Sequence, residues 1–325
     1  MYDLSVIIPC YNVGKFLTAC LKSLKAQAIE RAEFIFVDDG STDGSDVLLD
    51  EFAEEDRRTR VLHLENGGVS RARNIAIDMA RGRYIAFLDA DDMLAPGALR
   101  RLLDLAHAQD ADIVSADHTV LYEDGAQREV RLKDAQTDPA AVAGLIVAMH
   151  PIYNNVWNKL YRRSLFEDAT CRLDPGIRIG EDAVLNVRLY AGAKRIAHLG
   201  AVLYTYRVHG QSAMAAAAKD YCRQHQPMLR GLSAALLDTG LKERYFYAFV
   251  MSAMWTHEKE HGVRRAALAF GAQVRGLALA GIDPARLQGK GRRLYRLIRL
   301  HVFPAWYVIR HLYNKRQKEE KIGCE

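Results

Sequence analysis

The sequence lacks the features that mark secreted and membrane-spanning proteins. Its 325 residues include only five cysteines, and no two of them have the CxxC spacing of a metal or redox site. No stretch reaches the roughly 20 uninterrupted apolar residues that a spanning helix needs. The opening "MYDLSVIIPCYN" has no basic region before its short apolar run, so it does not resemble a secretory signal. These absences predict a reduced, cytoplasmic protein without a membrane span.

Extremes of composition are absent as well. Hydrophobic residues make up 50% of the chain and charged residues 26%, which is typical of a globular protein with a sizeable core. The length suits one large domain with an appendage, or two ordinary domains. The one strong shift in composition lies near the C-terminus, where residues 289–321 hold ten Lys and Arg against two acids.

The first 115 residues alternate between two hydrophobic patterns. Short β-branched or aromatic runs predict strands at 4–9, 33–38, 60–64, 83–89 and 111–116. Between them, apolar residues recur at helical spacing, in stripes that include Phe16, Val47 and Val69. Alternating strands and helices predict parallel strands joined by right-handed crossovers. The predicted fold class is therefore α/β with a mostly parallel sheet.

The pattern changes after Asp117. "YEDGAQREVRLKD" predicts a hairpin or a polar loop, and helices are expected over 134–149 and after Glu181. From about Asp220 the sequence predicts helices only. The expected breaks in this helical region lie near Pro227, Gly240, Gly262, Asp283-Pro284 and Pro304.

Polar clusters follow four of the predicted strands: "PCYN", "VDDGSTDGS", "ENGGVSRARN" and "LDADD". Because parallel strands end at the same edge of a sheet, we expect these clusters to meet, and ligands bind at that edge. Asp38 or Asp39 would accept hydrogen bonds from a base or ribose, while Ser41 or Thr42 would cap the next helix.

The third cluster predicts an anion site. Gly67 and Gly68 open a helix whose free N–H groups, together with Arg71 and Arg73, would hold phosphate. Three acids crowd the fourth cluster, where Asp92 is expected to be a helix cap. Like charges at this spacing need a cation to offset them. The combination suits a nucleotide diphosphate with a divalent cation.

Six segments carry a family resemblance. In order they are "SVIIPCYN", "FVDDGSTDGS", "GGVSRARN", "YIAFLDADD", "WNKLYRRSLF" and "IGEDAVLNVRLY". Together they resemble the family 2 inverting glycosyltransferases of GT-A fold, over about residues 3–215. The resemblance implies a GT-A (Rossmann-like) nucleotide-sugar-binding domain at residues 1–218. Residues 219–325 are then a helical C-terminal region that ends in a basic amphipathic tail, 289–321.

The resemblance also implies roles for single residues. Asp89 and Asp91 would form the DxD motif, with Asp89 towards the ribose and Asp91 on Mg²⁺ or Mn²⁺. His209 would be a further metal ligand, or else a structural histidine. The residues expected around the nucleotide sugar are Pro9, Tyr11, Asn12, Asp39, Arg71, Arg73, Asp89, Ala90, Trp157, Lys159 and Arg207. For Trp157 the alternative is a core tryptophan beside a surface basic run.

An inverting transfer also needs a base that takes the proton of the attacking hydroxyl. "GED" at 180–182 provides two candidates, and the resemblance implies Asp182 as the base with Glu181 holding the acceptor. One of these acids would also stabilise the start of a helix. The sequence leaves the choice between them open.

The tail combines apolar residues at helical spacing with many arginines. Leu294, Leu297, Ile298, Val302, Trp306, Ile309 and Tyr313 form the apolar set, and Arg292, Arg293, Arg296, Arg299, Arg310, Lys315 and Arg316 supply the charge. A basic amphipathic helix with aromatic residues suits an anionic membrane surface. The alternative is a helix packed on the domain. No reader motif suggests nucleic acid.

The predicted function is a metal-dependent, inverting glycosyltransferase, cytoplasmic and peripheral at the inner face of the cell membrane. It would move a sugar from a nucleotide donor, a UDP-sugar by expectation, to a hydroxyl of a glycan or lipid-linked glycan in cell-surface polysaccharide synthesis. The alternatives are a nucleotidyltransferase and a non-catalytic sugar-nucleotide-binding scaffold at the membrane. The donor sugar, the acceptor and the oligomeric state, a homo-oligomer included, stay open.

Overall fold

The computed structural model describes residues 2–210, 221–301, 303–308 and 310–311. The chain divides into two compact units, Met1–Ala216 and Ala217–Glu325. This division lies two residues before the boundary expected at 218. The sequence suggests a hinge or short helix at 213–220. This segment contains the boundary but lies outside the described residues.

Within the described residues, one sheet of nine strands forms the centre of the N-terminal unit. The strands are β1 (Leu4–Cys10), β2 (Ala32–Asp38), β3 (Thr59–His63), β4 (Tyr84–Phe87), β5 (Met93–Leu94), β6 (Ile113–Leu121), β7 (Gln127–Val130), β8 (Lys159–Arg162) and β9 (Ile196–Arg207). They lie in the order β3-β2-β1-β4-β8-β6-β9-β5, with β7 beside β6. The first four strands are parallel, as the sequence predicts.

Helices join and cover these strands. They are α1 (Gly14–Lys25), α2 (Ser45–Glu55), α3 (Val69–Met79), α4 (Ala98–Ala108), α5 (Pro139–Val147) and α6 (Glu181–Gly192). The predicted stripe of α1, which includes Phe16, is buried. Two predicted core positions are wrong, because Val47 is 55% exposed and Val69 is 40% exposed. In α2 the chain buries Leu49 in place of Val47, so the buried face is rotated from the expected one.

Strand pairing brings the polar clusters to one edge of the sheet. Cys10 lies opposite Asp38, and Asp38 lies opposite His63, so the ends of β1, β2 and β3 coincide. Strand β4 ends beside β1, three residues short of β1's own end. The segment expected to be a hairpin or loop is the antiparallel β6–β7 hairpin. The fold therefore places the four sequence clusters within reach of one another.

The C-terminal unit is helical where it is described. Its helices are α7 (Tyr221–Asp238), α8 (Lys242–Gln273), α9 (Arg275–Leu279) and α10 (Gly289–Arg299). Gly262, with φ 74°, interrupts α8 where a break was expected. The break expected at Pro227 is wrong, since this proline lies inside α7. A proline removes one intrahelical hydrogen bond, and the helix continues past it. No helix in the described parts of the chain is long and apolar enough to cross a membrane.

Helix α10 shows how the basic tail packs. Its apolar residues Leu294 and Ile298 are each 1% exposed within the unit, so this stripe is not offered to lipid. The arginines of α10 lie on its exposed side. Among the other tail residues singled out from the sequence, Val302, Ile309, Tyr313, Lys315 and Arg316 lie outside the described residues.

Candidate active site

The loops after β1 and β2 are tied together by side chains. The N–H of Asn12 donates to Ser41 Oγ at 3.1 Å, and the N–H of Thr42 donates to Asn12 Oδ1 at 2.8 Å. The expected helix cap from Ser41 or Thr42 is wrong, because α2 begins after Gly44 without a side-chain cap. Asn12 adopts a positive φ of 51° to make these contacts.

Two further residues expected around the nucleotide, Pro9 and Tyr11, precede Asn12 in the chain. Tyr11 is 51% exposed, and Pro9 is partly buried at the end of β1. An exposed ring on a fixed loop is available to stack on a flat ligand.

Asp39 binds the start of α3. Its two carboxylate oxygens accept hydrogen bonds from the N–H groups of Gly67 at 2.9 Å and Gly68 at 2.7 Å. These N–H groups were expected to bind a phosphate, and in the structure they hold a carboxylate of the protein itself. Arg71 turns back to donate to the carbonyl of Glu65 at 2.8 Å. The anion that α3 attracts is therefore internal.

Arg73 lies at the centre of a buried charge cluster. Its guanidinium is 2.6 Å from Asp89 Oδ1, 3.0 Å from Asp182 Oδ1 and 3.5 Å from Glu181 Oε1. Burial lowers the pKa of Arg73, but the carboxylates outweigh burial and raise that pKa overall. This arginine joins the DxD motif to the two candidate bases, although the motifs are far apart in sequence.

The two candidate bases begin α6. Gly180, with φ 80°, turns the chain into the helix. Asp182 is held on both sides, because its Oδ2 also accepts a hydrogen bond from the N–H of Val156 at 3.1 Å. Burial raises the pKa of Asp182, and Arg73 opposes this shift. Burial, and then Asp182, raise the pKa of Glu181 to about 8. Burial thus raises the pKa of both acids.

Strand β9 is hydrogen-bonded to the segment that contains the DxD motif. Asp92, fully buried, accepts hydrogen bonds from the Tyr204 hydroxyl at 2.6 Å and from the N–H of Arg207 at 2.7 Å. The same hydroxyl accepts a hydrogen bond from the N–H of Asp89 at 3.2 Å. The prediction that Asp92 caps a helix is wrong, since α4 begins after Gly97. Asp92 instead fixes the position of the neighbouring acids.

The remaining DxD acid meets the predicted metal histidine. His209 Nε2 lies 2.9 Å from Asp91 Oδ2, and its ring packs 4.4 Å from the ring of Phe16. Arg207 donates to the carbonyl of Asp91 at 3.0 Å and places its guanidinium over the Phe16 ring. Ala90, between the two acids, is 2% exposed. In the part of the chain that the structure describes, no group of three or more His, Cys, Asp and Glu converges into a metal site.

Trp157 and Lys159 are both buried. Trp157, 8% exposed, stacks on Tyr204 at 4.7 Å and on Tyr206 at 5.2 Å between ring centroids. The ammonium of Lys159 donates to oxygens of Asn155 at 2.7 and 2.8 Å. Burial holds the pKa of Lys159 well below its ordinary value. These contacts match the core alternative for Trp157 and give Lys159 protein acceptors.

Comparison with known proteins places this arrangement in a family. Residues 5–175, more than half of the chain, match Glycosyl transferase family 2. The chain belongs to that family.

Similar proteins include bacterial glycosyltransferases. The uncharacterized glycosyltransferase EpsJ of Bacillus subtilis (strain 168) is 36% identical over 215 residues, which are 64% of this chain and 62% of EpsJ. The glycosyltransferase GlyG of Streptococcus pneumoniae is 30% identical over 226 residues, 65% of this chain and 72% of GlyG. This glycosyltransferase thus spans less than two thirds of the length of EpsJ.

A solved structure supports the fold. Residues 1–349 of Staphylococcus aureus TarS, crystallised with UDP-GlcNAc, superpose on this glycosyltransferase with a TM-score of 0.73 at 20% identity. The match covers 97% of this chain and 92% of that one. The GT-A fold with a helical C-terminal region, expected from the sequence, is confirmed.

Sequence reasoning missed how the clusters of this glycosyltransferase are joined. Tyr204 and Val156 carry no sequence signal of these roles, because their contributions are a buried hydroxyl and a backbone N–H. Arg73 was assigned to phosphate because it follows the glycine pair. Arg73 falls on the predicted apolar face of α3. Because an arginine is almost never fully buried unless it is paired, this position could have suggested internal ion pairs.

Proposed function

We propose that this glycosyltransferase transfers a sugar from a UDP-sugar to a hydroxyl of a glycan or lipid-linked glycan, with inversion. The observation that carries the proposal is the Arg73 cluster, which joins Asp89 of the DxD motif to Glu181 and Asp182. A donor-binding acid and a general base must lie together for in-line attack. The likeness to TarS, which was crystallised with UDP-GlcNAc, supports a UDP-sugar.

The donor is assigned to the edge formed by β1, β2 and β4. Tyr11 would stack on the base, with Pro9, Asn12 and Asp39 shaping the pocket beneath it. Asp89 would accept from the ribose. Around the diphosphate we place the remaining expected residues, which are Ala90, Arg71, Arg73, Trp157, Lys159 and Arg207. For Arg73 that role is indirect, through the carboxylates that it holds. For Trp157 and Lys159 it is indirect as well, through the backbone that they support.

Asp182 is assigned as the base. Its orientation is held by Arg73 and by the N–H of Val156, and a fixed carboxylate is what proton abstraction requires. Burial, and then the neighbouring Asp182, raise the pKa of Glu181, which favours the protonated form of this carboxyl relative to an ordinary glutamate. A protonated carboxyl can donate a hydrogen bond, so Glu181 would orient an oxygen of the acceptor substrate.

Asp91 and His209 would hold the divalent cation, Mn²⁺ or Mg²⁺. The Asp91 carboxylate is the kind of oxygen ligand that these hard ions prefer, and His209 Nε2, 2.9 Å from Asp91 Oδ2, would be the further ligand. The ion would supply positive charge for the diphosphate leaving group. The residues of the chain position it: Arg207 fixes the backbone of Asp91, and Phe16 supports the ring of His209.

The cellular setting is part of the proposal. We assign the enzyme to cell-surface polysaccharide synthesis at the inner face of the cell membrane. The exposed arginines of α10 would adsorb to anionic lipid by charge alone, because the apolar stripe of that helix is buried.

Transfer assays test this function. UDP-, GDP- and TDP-sugars would be screened for hydrolysis and transfer with Mn²⁺, and the variants Asp91→Asn and Asp182→Asn compared with Asp104→Asn, an exposed control in α4. We expect losses of about 100-fold or more in the two site variants and none in the control. Full activity in both site variants would refute the assignment. Release of pyrophosphate from a nucleoside triphosphate would favour a nucleotidyltransferase instead.

A further inference from the structure

The helical C-terminal unit contains a pocket of its own. Its volume is about 560 Å³, and it is lined by Glu243, Arg244, Tyr247, Arg286 and Gln288 together with two glycines. Ligand pockets commonly measure about 300–1,000 Å³, so this one can hold one or two sugar residues. Every lining residue lies in the same compact unit.

The charge of this pocket is positive. Among the described residues the lining holds Arg244, Arg286 and one carboxylate, Glu243. Glu243 Oε1 already accepts a hydrogen bond from the N–H of Asp283 at 3.1 Å. Within the described residues, Arg286 forms no ion pair. Guanidinium groups bind carboxylate and phosphate oxygens in pairs, so an exposed arginine at a pocket wall selects anions.

Tyr247 adds two more cations to the same place. The ammonium of Lys290 lies 6.0 Å from the centre of its ring, and the guanidinium of Arg310 lies 5.8 Å from it. Arg310 also donates a hydrogen bond to the Tyr247 hydroxyl. The tyrosine thus gathers basic groups at the pocket, and it presents an aromatic surface of the kind that packs against sugar rings.

Two of the lining residues are glycines, which place no side chain in the pocket. Gly240 has a positive φ of 69°, and a Cβ built on it would meet no atom within 4 Å, so its surroundings are open. Gly291 is the second glycine of the wall. Between them the amide of Gln288 offers both a donor and an acceptor, which suits hydroxyl groups.

We propose that this pocket binds an oligosaccharide bearing phosphate or carboxylate groups. The arginines and Lys290 would hold the anionic groups, while Tyr247 and Gln288 would contact the sugar. The further step, that this ligand is the growing acceptor of the transfer reaction, rests on the proposed function. The binding itself does not.

The experiment measures binding by calorimetry with the full chain and without nucleotide. The probes are a tetragalacturonate, a ribitol-phosphate oligomer, neutral maltotetraose, inorganic phosphate and vesicles containing phosphatidylglycerol. One variant, Arg286→Ala/Lys290→Ala, removes two charges at the pocket. Its matched control, Arg293→Ala/Arg299→Ala, removes two exposed charges of α10 that do not line the pocket.

We expect an anionic oligosaccharide to bind and maltotetraose not to bind. The pocket variant should bind at least about tenfold more weakly, and the control less than about twofold. The ribitol-phosphate oligomer, a polyol phosphate, and the tetragalacturonate distinguish a phosphate from a carboxylate ligand.

Three results would overturn the proposal. These are equal losses in both double variants, binding of vesicles in place of oligosaccharides, and phosphate binding as tightly as the oligosaccharides. Denaturant unfolding of both double variants checks that weaker binding does not come from unfolding. UDP binding to the same samples reports separately on the donor site. If the wild type does not bind UDP, the proposed function is refuted, and the proposal for this pocket is unaffected.

Discussion

The two units of this glycosyltransferase use positive charge in opposite ways. In the N-terminal unit, Arg73 is 4% exposed and its guanidinium contacts three carboxylates of the protein. In the C-terminal unit, Arg286 and Lys290 are exposed. A buried cation with protein partners orients those partners, whereas exposed cations around a pocket are available to a ligand. The difference separates a positioning charge from a binding charge.

The largest effect is expected from removing the buried charge. Arg73→Met should leave Asp89, Asp182 and Glu181 without their shared cation, at a cost of about 3–5 kcal/mol in the free energy of unfolding. We expect transfer to fall by about 100-fold or more, since the acids lose their fixed orientation. Denaturant unfolding and kcat/KM measure the two effects.

Two controls sharpen that result. Arg73→Lys keeps the charge and should recover part of both losses, though not the forked contacts. Arg71→Met removes an exposed arginine of the same helix that donates to the carbonyl of Glu65, so its cost in stability should stay below about 1 kcal/mol. A stable Arg73→Met protein would show that the cluster is not a structural centre.

A smaller effect is expected where a neutral hydroxyl does the positioning. Tyr204→Phe removes the donor to Asp92 and the acceptor for the N–H of Asp89, which should cost about 2 kcal/mol. Because the DxD segment then loosens, KM for the donor should rise more than kcat falls. Tyr206→Phe, which keeps the ring that stacks on Trp157, is the matched control. Equal KM values in the two variants would contradict the positioning role of Tyr204.

These residues also show what the sequence can and cannot predict. Strands β1 to β4 and the convergence of their ends were predictable, because hydrophobic period and parallel topology are local signals combined by a general rule. The acids of the site were visible as motifs. The partners of those acids were not, since which carboxylate meets Arg73 depends on packing between segments about a hundred residues apart in sequence.

The same limit explains the errors at single positions. Val47 was assigned to the core because valine is apolar, but helix rotation, set by contacts with the sheet, exposes it. Asp92 was assigned as a cap because it precedes a helix, and its hydrogen-bond partners come instead from β9. Local propensity is outweighed in both cases by contacts that spacing does not reveal.

A buried lysine in the C-terminal unit gives a pH-dependent effect. The ammonium of Lys242 donates to Ser233 Oγ at 2.8 Å and to the carbonyls of Leu277 and Ala280 at 2.9 and 2.6 Å. Burial lowers its pKa to about 8, and Glu243 opposes the shift. Between pH 8 and 10 the unfolded chain binds more protons at this site, so stability rises with pH.

Comparison with Lys242→Met isolates this contribution. The stability of wild type relative to the variant should increase by about 1–2 kcal/mol between pH 8 and 10, as measured by denaturant unfolding at each pH. Titration of other groups cancels in the difference. A difference that stays constant with pH would show that Lys242 keeps an ordinary pKa in the folded protein.

The smallest effect is expected at the edge of the sheet in the N-terminal unit. His63 Nδ1 lies 2.9 Å from Asp38 Oδ2, and Nε2 lies 3.1 Å from Asp50 Oδ1. The hydrogen bond with Asp38 raises the pKa of His63, and burial opposes the shift. A raised folded-state pKa means that the stabilisation is present below about pH 6.5 and is lost as pH rises through the folded value.

Solvent keeps this contribution small, since the His63 side chain is 43% exposed. His63→Gln should therefore cost less than about 1 kcal/mol at pH 5.5 and nearly nothing at pH 8.5. Thermal unfolding at both pH values measures the difference, with added salt reducing it at the lower pH. His63 contacts Asp38, whereas Asp39 of the proposed pocket is held by the start of α3, so donor binding should be unchanged. A large rise in the Kd for UDP would instead place His63 among the residues that shape the nucleotide pocket.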